Sequence, residues 1–163
     1  MRARHLKLVA GVFALAAVTA ALPAHAACSD EIHIWDGADK DANNLLAEDQ
    51  SLSKQIGPAE AAIVEGNIFN NPAPAAIVQQ FCIDLRKDVA ALRRAFAVLR
   101  LELFPACQSV AKDPTCTQSQ RDHANSVCVV GLTLPIVLLG TEQKATQMAA
   151  LYSAAKCSPP LSP

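Results

Sequence analysis

Aromatic residues and histidines are scarce in this 163-residue chain, which has one Trp, one Tyr, five Phe and four His. The C-x-x-C, C-x-x-C-H, H-E-x-x-H and G-x-S-x-G patterns are missing, so no common redox, haem, zinc or hydrolase signature is present. A basic excess is missing too. The formal charge is −1, whereas a nucleic-acid binder needs a basic face to meet phosphates. Strand patterning is nearly absent, because the one β-branched cluster, 127–137, is interrupted by Gly131 and Pro135. No internal repeat and no domain-length linker divides the chain. What remains is rich in alanine, 31 residues in all, and suits helices that pack closely.

The N-terminus opens with MRARHLK and then a fifteen-residue apolar run, Leu8 to Leu22. Ala24-His25-Ala26 follows, with small residues at the −3 and −1 positions of a cut after Ala26. This is the pattern of a secretory signal, and the run is short for a membrane span of about 20 residues. The expected organisation is a cleaved signal at 1–26, one disulfide-linked helical domain at 27–157 and a short flexible tail at 158–163. The exported part carries eleven basic and fifteen acidic residues, and all six cysteines.

An even cysteine count in an exported chain points to three disulfides. Cys28 could instead be a lipid anchor, but His25 stands where a lipoprotein signal usually places Leu. A reactive thiol needs an electropositive setting, and Asp30 and Glu31 supply the opposite. Three pairings are expected. Cys107–Cys116 would close the Lys-Asp-Pro turn, Cys82–Cys128 would join two apolar helix faces, and Cys28–Cys157 would join the chain ends.

Helical spacing is clearest from Pro74 onward. Val78, Cys82, Leu85, Val89, Leu92, Phe96, Leu99 and Leu103 form one apolar stripe of alternating four- and three-residue steps. Before it, Ala42, Leu45, Leu46, Leu52 and Ile56 show the same periodicity, interrupted by Asp49. Gly57-Pro58 is expected to end that helix and start a short one at 58–66; NIFNNPAP (67–74) reads as a turn. Pro105 should close the long helix. TQSQRDHANS then reads as a polar link into the apolar segment 127–140, a core helix apolar on all sides that Pro135 should kink or divide. Thr141 is the expected N-cap of a last helix. The fold class is therefore an all-α single-domain bundle of four or five helices around a long central one, stapled by disulfides.

The candidate sites are few. Asp39, Asp41 and Asn43 have the alternate spacing of a calcium loop, although the twelfth position is Gln50 and Glu48 sits two residues early. The alternative is a first helical turn with acids near the positive end of the dipole. His33 and His123 are the histidines left after export; His123 could pair with Asp122 or Asp113. Trp35 could anchor a partner or cover the core edge. Residues 27–65 hold nine acids and two bases, whereas 86–100 hold five bases and one acid. Arg86, Lys87, Arg93, Arg94 and Arg100 could thus dock an anionic partner or receive the acidic N-terminal helix.

These readings converge on an exported, non-catalytic helical module of the periplasm or cell exterior that binds a protein partner. A carrier of a small apolar ligand inside the bundle is the main rival; a calcium-binding protein and a hydrolase using His123 are weaker ones. No cofactor, nucleic acid or transmembrane span of the mature chain is expected, and the long helix could support a homodimer.

Overall fold

The computed structural model describes residues 24–130 and 133–161. The signal-like run at 1–23 lies outside the described residues, and the proposed cut after Ala26 falls in the first turn of helix α1 (Ala24–Ile68). The described chain is all-helical, with no strand. Helix α1 is 45 residues long. A turn at 69–74, with Asn70 left-handed at φ 50°, leads into α2 (Ala75–Val98). A π-helical turn, Leu99–Leu103, joins α2 to α3 (Phe104–Lys112). A second π-helical segment, Ser126–Val130, follows α4 (Gln118–Asn125) and precedes α5 (Thr133–Ala154). These segments make three long helices running up, down and up, not four or five.

The prolines explain the difference. Pro58 lies inside α1, where a proline costs about 3 kcal/mol in isolation. Buried Leu52 and Ile56 before it and half-buried Ala59 and Ile63 after it pack into one apolar cluster, which keeps both sides helical. Pro105 comes directly after the π turn, in which the Phe104 N–H donates to the Leu99 carbonyl five residues back. The wider turn accommodates the proline ring, so the helix continues to Lys112 instead of closing. Pro135 lies three residues into α5 as described, on a helical run that extends from Gln118 to Ala154. Thr141 caps nothing. It is buried within α5, and its Oγ1 donates to the Val137 carbonyl at 2.8 Å.

The stripe predicted on the second helix is its buried face: Leu85, Val89, Leu92, Leu99 and Leu103 are at most 3% exposed. Two apolar clusters result. At one end, α1, the first π turn, α3 and the base of the third helix enclose Ala38, Leu99, Leu103, Cys107, Val110 and Cys128. At the other, Leu52, Ile56, Phe81, Leu85 and Tyr152 pack together. Gly66 serves the turn between α1 and α2, since a Cβ there would come within 2.6 Å of the Asn71 carbonyl.

The cysteine pairing departs from all three expectations. Cys28 joins Cys116, Cys82 joins Cys157 and Cys107 joins Cys128, with Cα separations of 5.1, 5.5 and 6.3 Å. All three lie in the usual disulfide range. The reason is level along the bundle. Cys82 sits high on α2, whereas Cys128 sits low on the third helix, so each takes the cysteine at its own height. Cys107 points into the core from α3, and the Asp113–Thr115 turn carries Cys116 away from it toward α1. Segment 158–161 does not hang free. The Pro159 carbonyl accepts from Tyr152 Oη at 2.6 Å and Arg86 Nη2 at 3.1 Å, and Leu161 packs against the second cluster.

Candidate functional site

Three features outside simple core packing stand out. The first lies between the two apolar clusters, where α1, α2 and α5 bring together Asp49, Asp88 and Lys144. Lys144 Nζ is 2.6 and 2.7 Å from the two Asp49 oxygens and 3.1 Å from Ser53 Oγ. Asp88 is 0% exposed, and neither of its oxygens receives a donor. Burial, then the neighbouring Asp49 carboxylate, pushes its pKa from 3.8 up to about 7, against the attraction of Lys144. A proton on Asp88 turns the carboxylate–carboxylate repulsion into a hydrogen bond to Asp49. The interruption of the α1 stripe at Asp49 was the sequence signal for this layer; its partners were not foreseen.

The second is a cleft of about 480 Å³ between α1 and α4, lined by Ile32, Trp35, Asp36, Asp39, Ser119, Gln120, His123 and Val127. Trp35 and His123 stack across it, with ring centroids 5.4 Å apart and planes 22° from parallel. His123 is therefore not in a loop paired with Asp122 or Asp113. Thr117 and Gln120 form a reciprocal capping box that starts α4, which makes TQSQRDHANS helical. Asp113 is occupied locally: the backbone N–H and then the hydroxyl of Thr115, at 2.8 and 2.7 Å, hold its carboxyl below the usual range. The same 88-residue offset separates Cys28 from Cys116 and Trp35 from His123, so α1 and α4 run parallel in register. A covalent bridge fixes their base while a ring stack holds them apart above it.

The third is the apolar stretch of α5. Leu134 is buried, but Ile136, Val137 and Leu139 are 65, 37 and 54% exposed, so the segment is not apolar core on all sides. By length and composition, Gln118–Ala154 is apolar enough to cross a membrane; its best window has mean hydropathy 1.8 and is 29% buried.

The remaining candidates disperse. Asp39, Asp41, Asn43 and Glu48 all lie on continuous helix α1, with no loop to wrap a cation. At 100° per residue, Asp41 and Glu48 point well away from Asp39, while Asn43 Nδ2 donates to Asp39 Oδ2 at 3.0 Å. No metal-ligating cluster occurs among the described residues. The five basic residues share a broad side of the second helix but meet different partners. Arg86 turns to Tyr152 and Pro159, Arg94 meets Glu48 at 3.7 Å, and Arg100 lies over the Phe96 ring. Arg93 lines a small cleft beside Phe96 and Glu142, and Lys87 is exposed. Comparison with protein-family models, curated proteins and solved structures finds no match to this chain.

Proposed function

We propose that the chain is an exported, non-catalytic helical module, periplasmic or secreted, that binds a protein partner through the exposed apolar face of α5. The observation that carries this reading is Ile136, Val137 and Leu139 standing in solvent on a helix that disulfides and an ion pair otherwise hold in place. Contiguous exposed apolar residues on a rigid element are the usual mark of an interaction site. A protein occupant fits better than a lipid surface. Segment 127–143 carries no Lys or Arg, whereas interfacial helices usually flank their apolar face with basic residues.

Native mass spectrometry of protein taken from its own exporting cell, with an Ile136→Lys/Leu139→Lys variant in parallel, tests this. A heteromeric complex that the variant loses supports the reading. A homodimer, a lipid-sized adduct, or vesicle binding by the wild type alone would replace it with self-association, an apolar-ligand carrier or membrane attachment.

A further inference from the structure

We propose that the cleft between α1 and α4 is a binding site for an organic cation, an ammonium or guanidinium group seated against Trp35 and His123. Four observations lead there. The cleft has the volume of a small-ligand or single-side-chain site, about 480 Å³. Two stacked rings line it, and aromatic faces attract cations through their quadrupoles. Asp36 and Asp39 stand on the same wall as Trp35, one helical turn apart, and neither has a cationic partner among the described residues. Asp39 is also oriented, since Asn43 Nδ2 holds its Oδ2.

The surroundings reinforce this polarity. Beside the cleft, α1 carries Asp30, Glu31, Asp36, Asp39 and Asp41 against Lys40, so the local field favours a positive ligand. Ile32 and Val127 give it an apolar portion that would cover the methyl groups of a quaternary ammonium or the stem of Arg or Lys. The parallel register of α1 and α4, fixed by Cys28–Cys116, keeps the two walls apart before any ligand arrives. This site is separate from the α5 face and does not depend on it.

Trp35 is the only tryptophan, so its fluorescence reports the cleft alone. The full chain is titrated with choline, N-acetyl-argininamide and N-acetyl-lysinamide, beside their neutral isosteres 3,3-dimethylbutanol, N-acetyl-citrullinamide and N-acetyl-norleucinamide. A saturable change with at least one cation and with no isostere is expected. Tighter binding of choline assigns a free quaternary ammonium, and tighter binding of the amino-acid amides assigns a basic side chain of a partner. Asp36→Asn/Asp39→Asn, both exposed and harmless to folding, should weaken binding about tenfold. The His123 ring resonances should shift on saturation. No saturable response up to about 100 mM, an equal response to the isosteres, or unchanged affinity in the double variant would overturn the site.

Discussion

Replacing Asp88 with Asn tests the buried polar layer with little change of shape. In the folded chain the Asp88 carboxyl titrates near 7, raised from 3.8 by burial and by Asp49. In the unfolded chain it is solvated and titrates near its ordinary value. A rise of roughly three units, at about 1.36 kcal/mol each, corresponds to about 4 kcal/mol. The sign follows from which state ionises first. Below about pH 3 Asp88 is protonated in both states, and its contribution to stability is complete. As pH climbs toward 7 the unfolded chain releases the proton first, so stability falls; above 7 both states are ionised and the loss levels off. Asparagine removes this titration and can donate to Asp49 as the protonated acid does. Urea unfolding followed by far-UV circular dichroism, disulfides intact, should show the variant and wild type nearly equal at about pH 3. The variant should be more stable by up to about 4 kcal/mol at pH 8. Carboxylates that do not touch Asp88 titrate alike in both proteins and cancel in the difference. A gap that stays constant with pH, or that narrows as pH rises, would refute the account.

Peptide mapping without reduction should recover only the 28–116, 82–157 and 107–128 linkages; a 107–116 link would return the pairing to the local turn. Gly66→Ala should destabilise by about 1–3 kcal/mol, because its Cβ would press on the Asn71 and Ala73 backbone. A melting temperature equal to wild type would show that the turn yields instead.

How much of this could be read from the chain depends on the kind of signal. The buried stripe from Leu85 to Leu103 and the turn at 69–74 follow from spacing and from Asn and Pro, which act locally. Proline is where the local rule and the fold diverge most. A ring inside a helix is a local penalty, and at Pro58 and Pro105 packing and a π turn outweigh it. The capping box at Thr117 and Gln120 is legible in the sequence, and it carries the helical setting of His123. Cysteine pairing needs the third dimension. In an antiparallel pair of helices, moving 25 residues along one from Cys82 to Cys107 moves the partner 29 residues back along the other, from Cys157 to Cys128. That near-equality was available in the numbers, but only once the two helices were known to be neighbours. The stacking of Trp35 on His123 required the register that Cys28–Cys116 sets.

The π turn at Leu99–Leu103 has an evolutionary corollary. It holds one residue more than an α-turn would and absorbs that residue by local widening, so removing one there would restore regular geometry and leave downstream side chains on much the same faces. Cys107 would still face Cys128, but Pro105 would meet the carbonyl it now clears. Relatives of this chain should therefore gain or lose the extra residue and the proline together, while the Cys107–Cys128 pair can persist through either change.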